Sequence, residues 1–169
     1  MARARLTRYL AIAALPLMAC APLAANPAIT ASYASPSTTV SGTATIINFV
    51  VTSTRPAGGI TLLGYTNDVT YVVGDFHGMS HVTGVSIIKP DGSGRFYETE
   101  TFAGSVLGST QGTLVEANQG TLNSDGTFRG RGVFTDGTGG LAGIHGVKTF
   151  QAITPSIFTY SGRVAFDPS

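Results

Sequence analysis

Asp91-Gly92-Ser93-Gly94-Arg95-Phe96-Tyr97-Glu98-Thr99-Glu100-Thr101-Phe102-Ala103-Gly104 reads as a tight turn running into a strand. Asp and Gly accept the positive φ that a short hairpin connection demands. After the turn, side chains alternate across the sheet, so Phe96, Glu98, Glu100 and Phe102 share one face while Tyr97, Thr99, Thr101 and Ala103 share the other. A helix would scatter those four around its axis.

The same grammar extends outward. Asn123-Ser124-Asp125-Gly126 is a second turn between strand-like runs. From Val40 to the C-terminus no ten-residue stretch combines helical periodicity with freedom from Gly, and Val, Ile, Thr, Phe and Tyr recur between Gly, Asp and Asn. Strands are predicted near 40 to 53, 60 to 64, 69 to 75, 79 to 88, 95 to 105, 110 to 121, 127 to 135, 147 to 153 and 157 to 166. Eight or nine antiparallel strands with short connections suit a closed β-barrel, which leaves no edge strand exposed. In the run from Phe128 to Thr135, Phe128, Gly130, Gly132 and Phe134 share one side and Arg129 and Arg131 the other. The arginines are expected to face water, and the two glycines either to bend the sheet or to leave room inside it.

Candidate chemistry is sparse. Glu98 and Glu100, flanked by Phe96 and Phe102, are the most informative constellation. On an inward face, burial would raise their pKa values and make a general acid or base. The plainer alternative packs the phenylalanines at the barrel ends and leaves the glutamates to solvent or to an arginine. His77 and His81 stand roughly 13 Å apart along a strand at about 3.3 Å per residue, too far to share a metal ion, and His145 has no visible partner. Gly137-Thr138-Gly139-Gly140-Leu141-Ala142 formally fits a dinucleotide fingerprint, but Gly143-Ile144-His145-Gly146 follows where a helix is needed. Gly108-Ser109-Thr110-Gln111-Gly112 has Thr where a nucleophile elbow requires Ser. Neither a cofactor nor a metal is implied.

Gly137 to Gly146, preceded by Glu100-Thr101-Phe102-Ala103-Gly104 and Gly112-Thr113-Leu114-Val115, resembles a family of uncharacterised bacterial proteins related to allene oxide cyclases and dirigent proteins. The resemblance covers roughly Gly74 to Phe166 and implies an eight-stranded antiparallel barrel with a largely apolar interior. In characterised relatives such cavities steer the folding of a reactive hydrophobic substrate with few catalytic groups. Glu100 matches a frequent Glu before Phe-x-Gly, which makes it the favoured catalytic candidate. His145 stands where Arg is common, Ala117 and Asn118 replace a Gln-His pair, and Glu98 replaces a small residue.

The N-terminus gives the address. Arg3, Arg5 and Arg8 precede an apolar run from Tyr9 to Met18, and Leu17-Met18-Ala19-Cys20 has the residue types of a lipoprotein processing site. The alternative is an ordinary signal peptide cut after Ala25, discarding Cys20. A ten-residue apolar run falls short of the about 20 residues a membrane-spanning helix needs. Loss of residues 1–19 removes three of the ten basic side chains, leaving seven against nine acidic, a net charge of −2. Without a basic surplus or any Trp, nucleic acid is not an expected partner. Residues 20–39, rich in Ala, Pro, Ser and Thr, read as a tether before a barrel domain spanning 40–169.

The expectation is therefore an exported, lipid-anchored barrel that binds a small apolar ligand in a cavity lined by Phe96, Phe102, Phe128, Phe134, Phe158 and Tyr160, with Glu98 beside it. The alternatives are an isomerase or cyclase using Glu100 and a solid-cored structural lipoprotein. Metabolic labelling tests the anchor. The wild-type protein is expected to incorporate labelled fatty acid and Cys20→Ala to incorporate none, whereas an unlabelled wild type beginning at Asn26 would refute lipidation.

Overall fold

The computed structural model describes residues 36–167. Eight strands follow one another around a closed antiparallel barrel: β1 (Thr38–Ala57), β2 (Ile60–Gly74), β3 (Phe76–Ile88), β4 (Gly94–Val106), β5 (Gly112–Leu122), β6 (Phe128–Gly139), β7 (Ile144–Ala152) and β8 (Ile157–Phe166). The ring shuts where β1 pairs with β8, from Thr38 opposite Val164 to Thr45 opposite Ile157. Cys20 and most of the expected tether lie outside the described residues.

The turns form as their chemistry requires. Asp91 Oδ1 accepts bonds from Ser93 N and Oγ at 2.9 and 2.8 Å, and Asp125 Oδ1 accepts from Thr127 N and Oγ1 at 2.9 and 2.6 Å. Gly92 and Gly126 supply the positive φ, 82° and 83°. The Gly137–Gly146 segment ends β6, makes a turn and begins β7, with no helix following.

Of the eight or nine strands expected, eight form among the described residues, because 60 to 64 and 69 to 75 are parts of β2. Asn67 and Asp68 look like turn residues, yet Asn67 faces inward and Asp68 faces outward, where it meets Asn48 Nδ2 at 3.1 Å and His81 Nδ1 at 2.9 Å. β1 is longer than expected and carries three register shifts. In one of them Asn48, with φ of 53°, bulges opposite the middle of β2. Bulges bend a strand, which suits the wall of a small barrel.

The interior divides into two halves. At the end bearing the β2–β3, β4–β5 and β6–β7 turns, Phe76, Phe102, Val106, Leu114, Phe134 and Leu141 pack solidly. Phe76 stacks edge-on with Phe102 and Tyr160 at centroid distances of 5.5 and 5.3 Å. The opposite end is open.

A row of paired positions crosses the barrel between these halves: Tyr65, Gly84, Glu98, Asn118, Gly132, Lys148 and Gly162. An eight-stranded barrel is just wide enough for its own side chains, so the long polar residues fit only because glycines stand between them. A Cβ on Gly132 would fall on Glu116 Oε1 and Asn118 Oδ1. The inward glycines of β6 thus leave room. Gly132→Ala is expected to lose about 1–3 kcal/mol in urea unfolding, the usual cost of overpacking a filled interior; Thr99→Ala, on the outer face, should change little.

Candidate functional site

Every strand from β2 to β8 except β6 sends a polar side chain or a phenol toward the middle of the barrel, and Lys148 of β7 is the cation they surround. It is 1% exposed. Its Nζ donates to the Tyr71 phenol oxygen at 2.9 Å, stands 2.8 Å from Glu116 Oε2 without hydrogen-bond alignment, and is 3.7 Å from Glu100 Oε2. The ammonium also lies 4.8 Å from the Tyr71 ring centroid and 5.4 Å from that of Phe76.

Glu100 and Glu116 are cross-strand partners, 3% and 1% exposed, and they divide the charge unequally. Glu100 Oε1 accepts from the Tyr71 hydroxyl at 2.7 Å and from Ser80 Oγ at 2.5 Å, and Oε2 accepts from Asn118 Nδ2 at 2.9 Å. Burial alone would raise its pKa, but Lys148 and those three donors outweigh it and hold the carboxyl below its ordinary range. The expectation that an inward-facing Glu100 would be raised is therefore corrected: the residue is buried, but donors from other strands oppose the effect of burial. Glu116 has only Lys148 to offset burial and the nearby Glu100 charge, and is pushed up to about 8. One lysine neutralises one carboxylate, and the hydrogen bonds award that charge to Glu100. A proton on Glu116 would also reconcile Glu116 Oε1 and Asn118 Oδ1, which crowd the same space over Gly132 with no hydrogen-bond partner.

Above this cluster lies a cavity of about 400 Å³. Its wall includes Ile46, Leu63, Val69, Phe96, Phe128 and Phe158, and its floor Asn67, Tyr71, Glu98, Glu100, Asn118 and Lys148. Its rim is formed by Phe49 and by the ends of the other hairpins, Ile88, Leu122, Gly126 and Pro155. Phe49 is half exposed and stacks on Tyr65 at 5.1 Å. Glu98 accepts from the Tyr65 hydroxyl at 2.6 Å, and burial, only partly opposed by that bond, raises its pKa to about 7. Tyr65 in turn is raised by burial and by the Glu98 charge.

The residues singled out from sequence thus fall into two groups. Phe96, Glu98, Glu100, Phe128 and Phe158 line the cavity. Phe102, Phe134 and Tyr160 also point inward, but belong to the filled half, where Tyr160 accepts a bond from Phe76 N at 3.0 Å. Cys20 lies outside the described residues. His77 and His81 sit on the outer face, and His145 approaches Gly143 O at 3.2 Å. Among the described residues no three His, Cys, Asp or Glu side chains are placed to hold a metal ion. Sequence reasoning missed Tyr65, Asn67, Tyr71, Glu116, Asn118 and Lys148. Alternation was the available signal, since Lys148 shares its parity with Ile144 and Phe150, and Tyr71 with Val69.

No family model matches the chain, and no curated protein matches it. Among solved structures it is similar to a protein of unknown function from the DUF3224 family of Shewanella oneidensis MR-1, at 21% identity and a TM-score of 0.65, covering 79% of this chain and 100% of that one. That likeness shows the fold.

The charge distribution sets the pH dependence of stability. Glu98 and Glu116 hold protons up to about 7 and about 8, while unfolded glutamates release them near about 4.3. The fold therefore binds extra protons across that window, and stability falls as pH rises through it. Glu100, lowered, acts oppositely, and its contribution is lost as pH falls below about 4.3. Urea unfolding is expected to show more stability near pH 5.5 than near pH 8, by at least about 1.4 kcal/mol, the equivalent of one pKa unit. Equal stability at the two values would refute the assignment of protons to Glu98 and Glu116.

Proposed function

We propose that the chain is an exported, lipid-anchored barrel that takes up a small, mostly apolar molecule in the open half of its interior. The observation that carries this reading is the cavity of about 400 Å³ with aliphatic and aromatic walls and a few polar groups gathered on its floor. Binding sites for small molecules combine those two features, apolar area for affinity and a few placed polar atoms for orientation. The charged, then apolar, N-terminus ending at Cys20 supports export and anchoring. A solid-cored structural role finds no support in an interior that is half open.

A second reading, isomerisation or cyclisation of an apolar substrate, rests on the resemblance to allene oxide cyclase-like barrels and on one further observation. The carboxyl best suited to move a proton near neutral pH is Glu98, on the cavity floor with a pKa of about 7. Glu100, the residue favoured from sequence, is engaged by Lys148 and three donors and is therefore a structural ion.

Fluorescence titration with neutral N-phenyl-1-naphthylamine tests uptake. Wild type is expected to bind it saturably with 1:1 stoichiometry, and Leu63→Trp, which fills the space below the rim, to weaken binding at least tenfold while keeping the barrel's circular dichroism. Absence of saturable binding to the folded wild type would reject the proposal.

A further inference from the structure

The polar floor of the cavity is unbalanced in charge and in hydrogen bonding. Two carboxyl groups of the floor, Glu98 and Glu100, together with Glu116 behind it, share one cation, Lys148. Lys148 is committed to Tyr71, Glu116 and Glu100. Among the described residues, the one side-chain hydrogen bond to Glu98 comes from the Tyr65 phenol, and it lies on Oε1. Asn67, 4% exposed and on the cavity floor, has its amide oxygen buried without a partner. Burying an acceptor unpaired is costly, and so is a carboxylate without a counter-ion. The floor therefore holds an unpaired acceptor and a carboxyl without a cation of its own, which call for a donor and a positive charge.

The geometry points to an occupant that supplies both: an apolar molecule carrying a basic amine, its ammonium received by Glu98 and Asn67 and its hydrocarbon body held by the walls. This assignment rests on the reading of the cavity as a binding site and gives it a substrate class. A fatty acid or other apolar anion is disfavoured, because its head group would meet Glu98 and Glu100. An alcohol satisfies Asn67 but leaves the charge uncompensated.

The groups facing Glu98 are Tyr65 from β2, Glu100 on its own strand, Glu116 from β5 and Lys148 from β7. None of the first three is a cation, and the fourth is already engaged. An alkylammonium keeps its charge below about pH 10, so between pH 6 and pH 8 the ionisation of Glu98 governs its affinity, while Glu116 stays largely protonated at the lower value and modulates the upper one.

Calorimetry of the mature protein with octylamine, 1-octanol and octanoate tests this. Octylamine is expected to bind at least tenfold more tightly than octanol at pH 8, octanoate more weakly than either, and octylamine affinity to rise about tenfold from pH 6 to pH 8. Glu98→Gln, which keeps shape and loses the charge, is expected to abolish the amine preference and its pH dependence while keeping the barrel's circular dichroism. Octanol binding as tightly as octylamine, or an amine preference that survives Glu98→Gln, would overturn the head-group assignment and leave uptake of apolar molecules standing. Failure of all three probes to bind the folded protein would overturn both.

Discussion

A buried ammonium has to be neutralised where it stands, and Lys148 meets Glu100 and Glu116 in the middle of the barrel. Removing one member of such a pair strands the other at a cost of roughly 3–5 kcal/mol. The pair joins β7 to β4 and β5, and Tyr71 of β2 bridges both ions, donating to Glu100 and accepting from Lys148. Four strands that are distant in sequence are thereby held to one register. A one-residue slip in any of them would turn its polar member outward and leave the rest unpaired.

The same cluster decides why the interior is half filled. Gly84 and Gly132 lend their missing side chains to Tyr65, Glu98, Glu116 and Asn118, so that the polar layer fits inside a barrel of this size. Beneath it Phe76, Phe102 and Phe134 meet in edge-on and tilted contacts and fill the narrow end. Above it the inward residues are set back around the wall, and Phe96, Phe128, Phe150 and Phe158 pack against one another along the wall at 5.7 to 6.3 Å. Their mutual contact stiffens the cavity without closing it.

Much of this was legible where alternation is uninterrupted. The run from Arg95 to Gly104 placed Phe96, Glu98, Glu100 and Phe102 on one face, and all four do point inward. Arg129 and Arg131 face out for the same reason. Legibility failed where a residue's type contradicts its place. Asn67 and Asp68 fell between two expected strands because nothing local reveals that β1 and β3 pair on both sides of them. Nothing local distinguishes Lys148, between Val147 and Thr149, from a lysine in water; its partners lie 48 and 32 positions earlier, at Glu100 and Glu116, and only closure of the ring brings them within reach. The direction of the Glu100 pKa shift could not be read for the same reason. Burial is foretold by local pattern, whereas compensation for burial is a property of the assembled barrel.

Glu98 differs from Glu100 by two residues and one layer, and that displacement separates a structural ion from a titratable wall. Both lose water on folding. Glu100 regains hydrogen bonds from three strands and a cation from a fourth, so its proton leaves. Glu98 regains one phenol and keeps its proton to about pH 7. Protonation spares the fold an uncompensated, partly buried charge, but the price is a carboxyl whose state is undecided in the neutral range. A group in that condition responds to whatever enters the cavity, since any molecule that favours one protonation state is favoured by it in return. The floor is thus rigid at Glu100 and responsive at Glu98, and the responsive layer is the one that faces the opening.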